Sequence, residues 1–185
     1  MRRLTLICAA ALTLGAVPRA DAQLQAGYDT VTRWSRVERN VAYGAAMATL
    51  YSAYDQLRDD PSEWDRTWDG YGKRYASNFG EFIIQEGVTD GLSVLMHRPQ
   101  GYRKCNCGTN TGKRIGYAWK NVVTDQMPNG SHPIAWPRLI GTFAGSTAQA
   151  AWQPNHGSRY NIAITNGVTS LAIGGLINMW YEFRK

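Results

Sequence analysis

The segment YNIAITNGVTSLAIGGLINMWY, residues 160 to 181, carries no charged side chain over 22 consecutive positions and is framed by Arg159 and Glu182. A chain holding such a run has to shield it in a protein core or in a bilayer, whose hydrocarbon takes roughly 20 apolar residues to cross. Asn161, Thr165, Asn166, Thr169, Ser170 and Asn178 make it more polar than an ordinary span, so a buried core helix is the leading expectation. A membrane span is the first alternative. A hairpin is the second, because Asn166-Gly167 lies between alternating apolar residues.

The other apolar run opens the chain. MRRLTLICAAALTLGAVPRADAQ sets Arg2 and Arg3 before an apolar stretch from Leu4 to Val17 and follows it with Ala20-Asp21-Ala22, the pattern of a secretory signal peptide cut after Ala22. Residues 1–22 are therefore expected to leave, and 23–185 to fold as a single helical domain, exported to the periplasm or the envelope surface. The mature part keeps 17 basic against 13 acidic side chains, a net +4 that is too mild to point to nucleic acid. That charge is unevenly laid out. Residues 23 to 90 hold eleven acids and seven bases, whereas residues 91 to 181 hold eight bases and Asp125 as their one acid. The two halves are expected to attract each other.

Periodicity predicts an all-α chain: a compact bundle of about five helices. Tyr43, Met47, Leu50, Tyr54 and Leu57 recur at helical spacing within a first helix over residues 30 to 57, with Thr30 as its cap. Asp60-Pro61-Ser62-Glu63 reads as an N-cap, a proline at the first helical position and a capping-box acid, which predicts a second helix from Pro61 to about Met96. His97-Arg98-Pro99 closes it. Shorter helices follow over about 113 to 124 and 139 to 152, and Asn129-Gly130 allows a small β-hairpin near 122–136. Small residues recur at helical intervals, among them Gly141 and Gly145, and predict close Gly/Ala contacts between helices.

On the second helix, Trp64, Trp68, Tyr71, Tyr75, Phe79 and Phe82 fall on one stripe, expected to be core, with Glu63, Arg74, Glu81 and Gln85 on the solvent side. Asp65, Asp69 and Lys73 lie along its glycine side, and Glu86 and Asp90 lie beside the aromatic stripe. Charges on a face that ought to be buried need partners, and Arg114, Lys120, Arg138 or Arg159 are expected to supply them. The catalytic alternative makes Asp65, Asp69, Glu86 and Asp90 the acid–base groups of a polysaccharide or cell-wall hydrolase, two of them facing one cleft about 5 to 10 Å apart.

Arg98, Arg103, Lys104, Lys113, Arg114 and Lys120, interleaved with Tyr102, Tyr117 and Trp119 and without an acid, form a basic segment over 97–120 suited to an anionic lipid or envelope polymer. Within it Cys105 and Cys107 are a disulfide candidate in an oxidising compartment. His97, His132 and His156 have no metal-ligand spacing, and no cofactor motif is present: Gly108 to Arg114 lacks the hydroxyl that a phosphate loop places after its lysine. The expected function is an exported, envelope-associated binding or structural protein working through the basic segment, with helix-mediated contact to a protein partner open to it. The hydrolase and a small integral membrane subunit spanning with 160–181 are the alternatives.

Overall fold

The computed structural model describes residues 33–154 and 158–184, with side chains from Arg39 onward. The expected signal peptide at 1–22, the Thr30 cap and His156 lie outside the described residues. Five helices pack against one another: α1 Arg33–Arg58, α2 Trp68–Leu95, α3 Thr111–Val123, α4 Trp136–Trp152 and α5 Arg159–Phe183. They form a row in which α1 packs on α2, α2 on α4, α4 on α5 and α5 on α3. The uncharged run is thus one continuous helix, which removes the hairpin at Asn166-Gly167. The hairpin near 122–136 reduces to a tight turn with a single antiparallel bridge, Thr124 to Ile134, and no strand is present among the described residues. Gly130 turns this corner at φ 78°.

The second helix starts seven residues later than Asp60-Pro61 predicts. Thr67 is its N-cap, with the side-chain oxygen accepting from Gly70 N at 3.2 Å. The reason lies downstream. Arg74, expected on the solvent side, is 1% exposed. Its guanidinium donates to the carbonyls of Asp60 (2.9 Å), Pro61 (2.8 Å) and Asp65 (3.1 Å) and to Gln56 Oε1 (2.7 Å). A buried guanidinium requires acceptors for its several N–H groups, so the segment before α2 coils around it instead of spending those carbonyls on a first helical turn. Trp68 is consequently left 74% exposed at the new helix start, and none of the six-member aromatic stripe is fully buried.

What α2 turns to α4 is instead a line of small and polar residues at steps of four: Ser77, Glu81, Gln85 and Thr89, with buried Ser93 next in register. Gly141 and Gly145 of α4 make that contact possible. A Cβ on Gly145 would stand 2.8 Å from the Glu81 carbonyl and one on Gly141 2.7 Å from that of Gln85, inside any real contact distance. The expected close glycine contact is present, but it is α4 that supplies the glycines; Gly72, Gly87 and Gly91 of α2 face open space.

The interior is markedly polar. Its largest fully buried side chains are Arg74, Gln149, Glu182 and Thr142, and its buried hydrophobic residues are alanines and Val122. Many of the large apolar side chains are exposed. On α5, Tyr160, Ile164, Val168, Leu176 and Trp180 are exposed at steps of four or eight, a ridge that winds about half-way around the helix, and only 17% of the helix's most apolar window is buried. The core-helix expectation for 160–181 therefore fails on burial: what α5 buries is Ala163, Gly167, Gly175 and Glu182.

Candidate functional site

Since α1 and α5 stand at different places in the row and do not pack on each other, a cleft of about 1120 Å³ opens between them. Its floor comes from α2 and α4, and it is crossed by a chain of side-chain hydrogen bonds that takes one member from each of four helices. Asn166 Nδ2 on α5 donates to Gln149 Oε1 on α4 (2.8 Å), Gln149 Nε2 donates to Asn78 Oδ1 on α2 (2.8 Å), and Asn78 Nδ2 donates to Asp55 Oδ2 on α1 (2.9 Å). An ionised Asp55 can only accept, so Asn78 turns its Nδ2 to it, and reversing Gln149 or Asn166 would then set like groups face to face; the direction of the chain is determined by its own bonds. Every amide donates toward the carboxylate, which polarises the row in favour of the Asp55 anion. Burial acts against it and is the larger influence, so the Asp55 carboxyl titrates above its ordinary value.

Two carboxylates of α2 also line the cleft, and Asp59, Asp60 and Glu63 line it from the connection before α2. Glu81 accepts from Ser146 Oγ at 2.7 Å and Glu86 from Asn40 Nδ2 at 2.9 Å. Burial pushes Glu86 up to about 7, with Asp90 adding to the shift and Arg138 and the Asn40 bond opposing it. Their resolved hydrogen bonds are to neutral groups, and Asp55, Glu81 and Glu86 take part in none of the ion pairs found among the described residues. The walls are apolar and aromatic, with Met47, Tyr51 and Phe82 on one side and Ile162, Ile173 and Ile177 on the other.

Of the four carboxylates singled out in sequence, Glu86 alone lines this cleft. Asp90 lies next to it on α2, near enough to raise its titration. Asp65 is exposed in the segment before α2 and contributes its backbone carbonyl to Arg74. Asp69 forms a surface pair with Lys73 at 2.6 Å, one helical turn on. The expected pairing between halves takes a different form. Arg114 bonds Glu182, and Arg138 lies 3.6 Å from Asp125, while Arg66 and Arg74 approach Asp59, so each of these pairs joins residues from the same half or its immediate flank.

The basic segment divides into structural and exposed members. Arg114 Nε donates to Glu182 Oε1 at 2.8 Å, and the same carboxylate accepts from Tyr102 Oη at 2.7 Å and from Cys105 N at 2.8 Å. Glu182 is thus the pin that holds the 102–105 strip against the end of α5. Cys105 and Cys107 are joined through their sulfurs, with Cα atoms 5.2 Å apart. Arg98 and Arg103 are half-buried, whereas Lys104, Lys113 and Lys120 are exposed. Beside them α3 shows Ile115, Trp119 and Val123 at steps of four, and α5 ends in exposed Trp180 and Phe183. No group of three His, Cys, Asp or Glu suited to a metal ion occurs among the described residues.

Sequence reasoning missed Asp55, Asn78, Gln149 and Asn166, and it placed Glu81 in solvent. Glu81 had a signal, the four-residue period of Ser77, Glu81, Gln85 and Thr89. Asp55 had none, since what distinguishes it is a contact made 23 residues away. Comparison of the chain with protein-family models, with curated proteins and with solved structures finds no match.

Proposed function

We propose that this chain is an exported envelope membrane protein in which α5 crosses the bilayer, its outward ridge against lipid and its basic segment among anionic headgroups. The observation that carries this is the inverted arrangement of α5, which buries alanine, glycine and a glutamate while leaving Tyr160 72%, Val168 54%, Leu176 55% and Trp180 58% exposed. Water gives no reason for that arrangement, because exposing large apolar surface costs about 25 cal/mol per Å². Lipid does. Tyr160 and Trp180 stand 20 residues apart, about 30 Å along a helix, with Arg159 and Arg184 just beyond them. This is the spacing and chemistry of the two interfacial belts of a spanning helix.

The headgroup role of the basic segment follows from its position. Lys104 donates to the Arg184 carbonyl at 2.7 Å and Arg114 bonds Glu182, so Lys104 and Lys113, next to Arg114, share the Trp180 end of α5. Fractionation of cells expressing the full chain tests the proposal. The protein is expected to stay with membranes through high salt and alkaline carbonate and to leave them in detergent. Recovery of the mature chain from the soluble fraction without detergent overturns it.

A further inference from the structure

The cleft between α1 and α5 is not explained by a lipid-facing role, because α5 lines it with Thr165, Asn166, Thr169 and Ser170 among its isoleucines and α2 gives the floor Glu81 and Glu86. At the connection before α2 the lining carries Asp59, which pairs with Arg66 and Arg74, and exposed Asp60 and Glu63. Its remaining anionic groups occupy two stations: Asp55, held by Asn78 three residues before Glu81 on α2, lies with Glu81 at one, and Glu86 forms the other. Glu81 and Glu86 are five residues apart on α2, about 7 Å along the axis. The ring of Phe82 lies in the lining between them, with Tyr51 and Met47 on the α1 wall. Arg58 is the one basic residue of the lining, and it is turned to Tyr54, whose hydroxyl it meets at 2.9 Å and whose ring it covers.

We propose that this cleft binds an aliphatic diamine or polyamine, with one ammonium at Asp55 and Glu81, a second at Glu86, and the methylene chain over Phe82 and Tyr51. The reasoning is by elimination of other ligand chemistry. Carboxylates that receive only neutral hydrogen bonds repel an anion and leave a neutral ligand without charge complementarity, whereas a cation both completes their pairing and interacts with the faces of aromatic rings. Two anionic stations separated by an apolar stretch suit a ligand with two charges on a hydrocarbon chain better than one with a single charge. The amide row through Asn166, Gln149 and Asn78 keeps Asp55 in place to receive it.

Calorimetry on the full mature protein in non-ionic detergent tests this with putrescine as the probe, against n-butylamine, which has one charge, and hexanoate, which has the opposite one. Putrescine is expected to bind saturably, n-butylamine about tenfold or more weakly, and hexanoate without measurable heat. Glu86→Gln is expected to bring putrescine down to the level of n-butylamine, and Glu81→Gln to weaken both. Asp69→Asn, at an exposed pair outside the cleft, is expected to change neither, and circular dichroism shows whether each variant retains its helices. A set of lipid nanodiscs with and without phosphatidylethanolamine separates a free amine from a lipid headgroup: competition with putrescine by phosphatidylethanolamine alone assigns the site to lipid and overturns the polyamine. Equal binding of butylamine and putrescine, any comparable binding of hexanoate, or an unchanged affinity in folded Glu86→Gln also overturns it.

Discussion

The seam between α2 and α4 and the cleft between α1 and α5 share their polar residue types, yet one is closed to backbone contact and the other, walled in addition by apolar side chains, is wide enough for a ligand. Serines, threonines, amides and glutamates line both. The difference is what stands opposite. In the seam, Gly141 and Gly145 let the α4 backbone reach the carbonyls of Glu81 and Gln85; across the cleft, Gly174 of α5 faces open space, with no described helix packed against that side. Small residues therefore permit a close approach without causing one, and the cause is a neighbouring helix short enough in its side chains and directed along the same line.

Substitutions that fill each space separate the two regions. Gly145→Val puts atoms into the Glu81 carbonyl and is expected to cost about 3 kcal/mol or to prevent folding, read as the midpoint of thermal unfolding by circular dichroism. A variant of normal stability would show that the seam is looser than its geometry. Gln149→Leu, which interrupts the amide row and strands Asn78 and Asn166, is expected to cost about 2 kcal/mol by the same measurement.

Acidity distinguishes the cleft next. Glu86 titrates at about 7 and faces Asn40 and Tyr43 from α1, Asp90 from its own helix and Arg138 from α4. Below that pH it takes up a proton and loses the charge that a ligand ammonium would meet, while an alkylamine, with a pKa near 10, keeps its own. Putrescine affinity is therefore expected to fall about tenfold from pH 7.5 to pH 5, a change of about 1.4 kcal/mol. A rise or a flat profile contradicts the assignment of Glu86.

Smaller effects come from positions where nothing stands opposite. Gly87→Ala adds a methyl to open space on α2 and is expected to stabilise by about 1 kcal/mol, the helix-propensity difference between the two residues. Thr165→Val on the cleft wall is expected to change stability by less than about 0.5 kcal/mol. Destabilisation by Gly87→Ala would mean that a further surface covers α2 in the native protein.

The helix count and most boundaries were legible in the sequence, since turn residues and apolar periods are local signals. The last helix was expected over 160–181 and runs Arg159–Phe183; the first was expected over 30–57 and is described from Arg33 to Arg58. The start of α2 was misread because the feature that decides it, Arg74, lies 13 residues beyond Pro61 and acts through backbone carbonyls that any residue has. Burial was misread for a related reason. A period reveals which residues share a face but not which face meets a neighbour, so the apolar stripe of α2 reads as core although the face that meets α4 is the one with Ser77, Glu81, Gln85 and Thr89. Where glycines of α4 approach, small and polar side chains take the inner face. For the cleft, Glu86 could be named because it is charged on a helix face. The amide row could not, since Asn and Gln become distinctive only when four helices bring them within 3 Å of one another.

The coil of carbonyls around Arg74 has a practical consequence. Arg66 and Arg74 are eight positions apart, one exposed and the other enclosed. A protease that cuts after arginine, or a dicarbonyl reagent that modifies guanidinium groups, meets the first at once and the second only when the coil opens. The ratio of the two reactions, followed by mass spectrometry on one peptide region, is a built-in gauge of how often this end of the molecule comes apart, and it works in detergent and in lipid alike.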